Sequence, residues 1–346
     1  MHILSHAQTH GTPLIEGEQV TFVWAGPVAP RLIADFNDWE DGEPCYLTAA
    51  GPELWTYTLT LPHAAYIEYA YLLDEKRQPD PWNRRITSNG MGKTNHYFYM
   101  PGGAPTPLIK KQRTLPAGTV NRHSITAPDM VADNKRLVYL YHPPTATPTP
   151  LLVVFDGWDY YRRAKLPTIV DNLITEERIR PLSLALVQNG GQARFIEYAC
   201  SESVLGFLVH YVLPLAQQEL NLLDLKAHPG TYGVLGASMG GLLALYTALR
   251  MPNIFGHSLS QSGAFRLGDY PTVVHNLVSD GPTHPLNIWM DVGLFEWLLE
   301  PNREMAALLR KRGYSVQYHE YPSGHNYPAW RNAVGTGLET LFPPQI

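Results

Sequence analysis

Thr231-Tyr232-Gly233-Val234-Leu235-Gly236-Ala237-Ser238-Met239-Gly240-Gly241-Leu242-Leu243-Ala244-Leu245 is the stretch that decides how this chain is read. Thr231 to Leu235 is a short apolar run of the kind that forms a strand buried on both faces, and Gly241 to Leu249 has helical spacing and length. Between them Gly236-Ala237-Ser238-Met239-Gly240 fits G-x-S-x-G, a sharp turn that requires small residues two before and two after the serine so that strand and helix can pass closely. Such a turn presents the Ser238 hydroxyl above the strand ends. It also aims the Met239 N–H, at the helix start, where a carbonyl oxygen acquires negative charge during attack. The same pentapeptide can close a strand-to-helix junction that does no chemistry. The strand before it, the helix after it and a suitable histidine later in the chain favour the catalytic reading.

Working outward, Arg136 to Tyr141, Leu151 to Phe155 and Leu182 to Val187 read as further strands, and Val204 to Leu220 as a further helix. Strands alternating with helices predict an α/β domain around a central, mainly parallel sheet. A serine hydroxyl needs a general base within hydrogen-bond reach. Val316 to Tyr321 reads as the last strand, and the loop Pro322-Ser323-Gly324-His325 that follows it supplies His325, in the chain order Ser, acid, His. His319 competes, but a place inside the strand is expected to point it into a packed face.

The third member should be a carboxylate after the preceding strand, Leu286 to Asp291. Asp291 ends that strand and Glu296 lies farther into the loop, where it can reach back to His325; Glu296 is preferred, Asp291 is the alternative acid and Glu300 comes third. A second oxyanion donor is expected from the loop Asp156-Gly157-Trp158-Asp159, through the N–H of Gly157 or Trp158, with Asp156 ordering the loop.

Before this domain, Val20 to Trp24, Arg31 to Ala34, Leu54 to Leu59, Tyr66 to Leu72 and Asn95 to Tyr99 are short β-rich runs separated by turn residues, as in a β-sandwich. Between Pro101 and Gly118 the composition shifts to Pro, Gly, Thr and Lys, which reads as a linker. The implied division is an all-β sandwich over 1–105, a linker over 106–120 and an α/β domain over 121–346.

With 45% hydrophobic and 16% charged residues in a chain of 346, there is material for a sizeable core. A net charge of −5, with no basic cluster larger than Lys110-Lys111-Gln112-Arg113, gives nucleic acid or a membrane surface no electrostatic purchase. The segment Met1 to Pro13 lacks the pattern of an export signal, so a cytoplasmic location is expected. Cys45 and Cys200 stand far apart without metal-site spacing and read as ordinary thiols. His2, His6 and His10 share an i, i+4 spacing that a metal could use, but a frayed, non-binding end is expected there. No metal or organic cofactor is expected. Self-association into a homo-oligomer is left open.

The region from Arg136 to Leu341 resembles an esterase family of the α/β-hydrolases that includes enterochelin esterases, feruloyl esterases, S-formylglutathione hydrolases and mycolyltransferases. The resemblance rests on Val154-Phe155-Asp156-Gly157, Arg194 with Glu197, Gly236-Ala237-Ser238-Met239-Gly240-Gly241, Gln261-Ser262-Gly263-Ala264-Phe265, Asn302-Arg303, and Gly324-His325-Asn326 with Trp330-Arg331. The nearest branch is the enterochelin (ferric-enterobactin) esterases. The resemblance implies an α/β-hydrolase fold, Ser238 as nucleophile, His325 as base and Glu296 as acid, and a siderophore ester, ferric or not, as substrate. Feruloyl or acetyl esters of carbohydrates, acyl transfer to another alcohol, and a binding or scaffold role on a dead hydrolase fold are the alternatives. Arg194 looks like the branch's arginine near the active-site mouth, able to meet an anionic substrate group or to pair with Glu197.

The N-terminal part resembles early-set immunoglobulin-like carbohydrate modules. It does so through Asp35-Phe36-Asn37-Asp38-Trp39, Trp55, Tyr66-Ile67-Glu68-Tyr69 and Asp80-Pro81-Trp82-Asn83. These aromatics could form a sugar-stacking platform or serve as packing.

Overall fold

In the computed structural model, which describes residues 2–90, 92–112, 116–128, 130 and 134–344, contacts group the chain into two units. The first takes in residues 1–104 together with 293–297 and 320–329; the second holds 105–292, 298–319 and 330–346.

The first unit is built from two antiparallel sheets. Leu14–Glu16, Gln19–Ala25, Leu54–Thr60 and Thr48–Gly51 form one in that order; Cys45–Tyr46, Arg31–Ala34, Tyr66–Leu73, Thr94–Tyr99 and Ile86–Ser88 form the other, with Lys76–Gln78 paired to Tyr66–Leu73. Val20 and Phe22 from the first sheet and Leu32, Ile67, Tyr69, Tyr71 and Phe98 from the second share one core. The five runs read from the sequence are all strands. The shorter ones escaped because two to four residues hold too little periodicity to register.

The aromatic motifs are taken up by the unit's own packing and hydrogen bonding. Asp80 accepts from the Thr12 hydroxyl at 2.7 Å and the Tyr69 hydroxyl at 2.6 Å. Trp55 donates to Gly26 O at 2.9 Å, and Trp39 lies under the Arg77 guanidinium. The N-terminal end is not frayed: His2–His10 is a helix that packs Ile3, Leu4 and Ala7 against Val23, Leu54, Leu14 and Trp82.

The second unit carries an eight-stranded sheet in the order Thr119–Thr126, Lys135–His142, Ser183–Val187, Leu151–Val154, Tyr232–Ala237, Phe255–Gln261, Asn287–Gly293 and Ser315–Tyr321. The first two pairings are antiparallel and the next four parallel, so the centre is a parallel sheet. All four residues of Leu151–Val154 and all six of Tyr232–Ala237 are buried, as strands covered on both faces must be. Each fully buried Leu or Val contributes about 1.5–3 kcal/mol relative to an exposed one.

The helix read over 204–220 runs from Glu202 to Glu219 with a widened π turn over Leu208–Val212. Pro214 accounts for it, since it has no N–H for the carbonyl four residues back and its ring crowds that carbonyl.

The segment read as a linker is docked rather than free. Pro107–Ile109 forms a 3-10 turn, Asn172 donates to Leu108 O at 2.6 Å and to Lys110 O at 3.0 Å, and the Gly118 N–H bonds Asp171 at 2.7 Å. Its Pro-rich composition sets local stiffness, but the bonds from the helix Leu166–Thr175 hold it. Both cysteines are free thiols, and burial pushes Cys200 up to about 12.

Arg136 and Glu197 form an ion pair whose side chains are 2% and 1% exposed. Breaking a buried pair leaves an uncompensated charge, so Glu197→Ala should lower the unfolding free energy by about 3–5 kcal/mol. Glu304→Ala, which removes the partner of half-exposed Arg266, should cost less than about 1 kcal/mol. Guanidinium titration of both variants checks the ranking.

Candidate active site

Ser238 sits between the strand Tyr232–Ala237 and the helix Met239–Arg250 with φ 59° and ψ −124°, outside the ordinary regions for a residue with a side chain. What forces it there is the crossing of strand and helix. A Cβ added to Gly236 would lie 2.3 Å from Gly240 O, so only glycine lets the two segments approach this closely. Three backbone bonds hold the strained residue: Ser238 N–H donates to Gln261 O at 2.9 Å, and Ser238 O accepts from Leu242 N and Ala264 N, each at 3.1 Å. Met239 is the first residue of a twelve-residue helix, where the N–H groups lack intrahelical acceptors and the helix dipole is positive.

The neighbouring parallel strand Leu151–Val154 delivers Asp156 and Gly157 to the same sheet edge. Asp156 is buried at φ 52°, and its carboxylate takes Arg194 in a bidentate pair at 2.7 and 2.6 Å and Asn189 at 2.6 Å. Its own N–H donates to the Tyr198 hydroxyl at 3.0 Å. Burial pushes Tyr198 well above the usual phenol range, so that hydroxyl is neutral.

Asp156 therefore orders the loop, as read. Arg194, however, pairs with Asp156 and not with Glu197, whose partner is Arg136. Of the two possibilities left open for Arg194, the pair with Glu197 does not form, because the Asp156 carboxylate, 38 residues away, offers the planar guanidinium a two-pronged fit. Arg194 remains 29% exposed, stacks over Tyr198 at 5.0 Å and reaches toward the Ala237 carbonyl at 3.5 Å. Gly157 is buried at the start of the helix Gly157–Arg162; Trp158, next to it, exposes its ring and packs it against Tyr139.

His325 and Glu296 meet in the first unit, with Nδ1 2.7 Å from Glu296 Oε2. The other carboxylate oxygen accepts the Gly293 N–H at 2.8 Å, and the carboxylate is buried. A carboxylate at Nδ1 selects the tautomer that carries its proton there and its lone pair on Nε2. Trp297, which the sequence reading passed over, lies 4.7 Å from the imidazole ring and is 57% exposed. Its only signal was adjacency to Glu296.

Asp291 is occupied elsewhere: it is fully buried and accepts from Trp289 Nε1 at 2.8 Å and Gln261 Nε2 at 3.2 Å. Glu300 is exposed and pairs with Arg303. His319 does not point into a packed face; it is on the solvent side of its strand, stacked on Trp289 at 4.2 Å. Among the described residues no group of three or more His, Cys, Asp or Glu could hold a metal ion.

The family model described as "Putative esterase" matches residues 130–341. The chain belongs to that family. It is an esterase with the α/β-hydrolase fold, preceded by an all-β region. It is similar to the iron(III) enterobactin esterase of Dickeya dadantii, 23% identical over 96% of this chain and 90% of that protein. It is also similar to the iron(III) salmochelin esterase of Escherichia coli, 26% identical over 93% of this chain and 87% of that one. The solved ferric enterobactin esterase of Salmonella typhimurium superposes with a TM-score of 0.80 at 20% identity, covering 93% of each chain. No single described helix is long and apolar enough to cross a membrane.

Strain held at one residue should be recoverable as stability. Ser238→Gly, which relaxes the positive φ, should raise the unfolding free energy by about 1 kcal/mol or more, read as a higher midpoint in urea. A lower midpoint would show that the serine conformation carries no strain.

Proposed function

We propose that this esterase works through an acyl-enzyme on Ser238, with His325 as general base and acid and Glu296 as its orienting carboxylate. The observation that carries the reading is Ser238 held at positive φ by the close approach of Gly236 and Gly240. His325 Nε2 takes the hydroxyl proton as Ser238 Oγ bonds to the ester carbonyl carbon. The resulting oxyanion accepts from the Met239 N–H and from Gly157 or Trp158, and each such donor is worth roughly 10²–10³ in turnover. His325 then protonates the leaving alcohol as its C–O bond breaks. Water attacks the acyl-enzyme with His325 again taking the proton, and the carboxylic acid leaves as Ser238 regains its hydrogen. Glu296, buried beside Nδ1, stabilises the imidazolium that forms in each half.

The substrate class that fits best is a siderophore ester of the catecholate trilactone kind. Support comes from two relatives, named for enterobactin and for salmochelin hydrolysis, that align with nearly the whole chain. Partly exposed Arg194 is the candidate contact for an anionic group on such a substrate. Ferric iron would enter as part of the substrate. The carbohydrate-ester reading has less support, because the N-terminal aromatics that suggested it are engaged in their own unit.

A fluorophosphonate probe should label the wild type on Ser238, and Ser238→Ala should abolish labelling and lower kcat by about 10⁴-fold or more. A folded wild type that stays unlabelled would point to a scaffold.

Glu296→Gln should lower kcat by roughly 10²–10⁴-fold, and more than Asp291→Asn does. The reverse ranking would give the acid's role to Asp291.

In a panel of ferric and iron-free catecholate trilactones, feruloyl sugars, acetylated xylan and aryl esters, the trilactones should show the highest kcat/KM. A maximum on feruloyl or acetyl sugars would replace the siderophore reading.

A further inference from the structure

We propose that Asp35, from the N-terminal all-β region, is a positioning residue for the loop that carries His325. The inference rests on the catalytic roles proposed for Ser238, His325 and Glu296.

Asp35 opens the 3-10 turn Asp35–Asn37 and is 3% exposed. Its carboxylate is fixed from its own side of the unit: Oδ2 accepts the Glu68 N–H at 2.8 Å and Oδ1 the Trp39 indole N–H at 3.3 Å. So fixed, it meets both neighbours of His325. Asn326 Nδ2 donates to Asp35 Oδ2 at 3.3 Å. A Cβ added to Gly324 would lie 2.3 Å from Asp35 Cγ and Oδ1, so the loop backbone rests directly on the carboxylate.

Further bonds stitch the same loop to the strand Tyr66–Leu73. The Tyr66 N–H donates to Pro322 O at 3.1 Å, and the Ser323 hydroxyl donates to Tyr66 O at 2.9 Å. The loop carrying Glu296 is tied in as well, since the Phe295 N–H donates to Ser323 O at 3.2 Å and the Phe295 ring packs on the core of the two sheets.

The segments bearing His325 and Glu296 thus take their support from the N-terminal region. Burial, and then the charge of Glu68, pushes the Asp35 carboxyl well above the usual carboxylate range. Asp35 is therefore poorly suited to serve as a second negative charge beside an imidazolium. Its effect passes through the backbone of Gly324 and the amide of Asn326. A displacement of about 1 Å in a catalytic group costs on the order of 10²-fold, so the support is kinetically significant.

The test is a double-mutant cycle in the full chain, with kcat and KM on an aryl ester, fluorophosphonate labelling of Ser238 and thermal unfolding read for each variant. Asp35→Ala should lower kcat by roughly 10- to 100-fold with KM within about twofold. Asp35→Asn, which keeps shape and an acceptor, should recover to within about fivefold of wild type.

Gly324→Ala should cost about tenfold or more in kcat in the native background, because its methyl group has no room beside the carboxylate. In an Asp35→Gly background, which removes the carboxylate and also the Asp35 Cβ that the new methyl group would meet at 2.5 Å, it should cost less than about twofold. Equal costs in the two backgrounds, or a folded Asp35→Ala with wild-type kcat, overturns the proposal. Should Asp35→Ala fail to fold, Gly324→Ala alone decides: wild-type kcat rejects the proposal, and a loss in kcat at unchanged KM supports it. Wild-type labelling separates the two levels. An unlabelled wild type defeats the acyl-enzyme reading and this inference with it, whereas a labelled wild type with indifferent variants defeats only the role of Asp35.

Discussion

The closeness of Gly236 to Gly240 is the constraint on which the rest of the chemistry depends. A strand and a helix that cross within reach of a missing Cβ leave the residue between them no ordinary conformation, and Ser238 takes the one that remains. Such a conformation persists only if its surroundings over-determine it. Here they do: Gln261 and Ala264 fix its backbone from the next strand and the loop after it, and Leu242 fixes it from the helix. The pairing carries onward, because Ala237 lies beside Gln261 and Gln261 beside Asp291 in the parallel register. The buried amide of Gln261 joins the Tyr160 hydroxyl, the Asp291 carboxylate and the Trp330 carbonyl. The carboxyl ends of three strands are thereby locked to one another just below the turn.

What could be read from the sequence follows from the range of the interactions involved. The turn at Ser238 was legible because its cause is local: two glycines, an apolar run and a helix former lie within fifteen residues. Leu151–Val154 and Ser183–Val187 announced themselves as continuous apolar runs. Phe255–Gln261 did not, although it lies beside the strand that leads into Ser238, because its buried positions include Gly256, Ser258, Ser260 and Gln261. Small and polar residues fill that strand because the helix after Ser238 passes over it; Ser260 Oγ bonds Gly241 O at 3.0 Å. Thr119–Thr126 was missed for the opposite reason. As an edge strand with no fully buried residue, it has a composition that looks like loop.

Long-range choices of partner stayed hidden. Nothing in the run Arg194-Phe195-Ile196-Glu197 says that its arginine will be claimed by Asp156 and its glutamate by Arg136. Nor does Asp35-Phe36-Asn37-Asp38-Trp39 reveal in sequence that its first residue will lie against Gly324, since a contact spanning nearly 300 residues leaves no local periodicity. The loops at 293–297 and 320–329 belong by contact to the N-terminal unit, although in sequence they interrupt the α/β domain. Chain order and contact order part company at these loops.

Four buried carboxylates illustrate how partners, rather than residue type, set a role. Asp156 faces a guanidinium and gains two charge-assisted bonds, which makes it an anchor for Arg194 and its loop. Asp291 accepts from the Trp289 indole and the Gln261 amide, and so ties strand to strand. Asp35 likewise accepts from an indole, a backbone amide and Asn326, and it presses on a glycine. Glu296, by contrast, is hydrogen-bonded to the His325 imidazole, a group that can take up and release a proton through its second nitrogen. A carboxylate bound to fixed donors has nothing to exchange, whereas one bound to imidazole lowers the energy of the protonated base each time it forms. That difference in partners singles out Glu296 for the place in acyl transfer proposed above, while the other three hold shape.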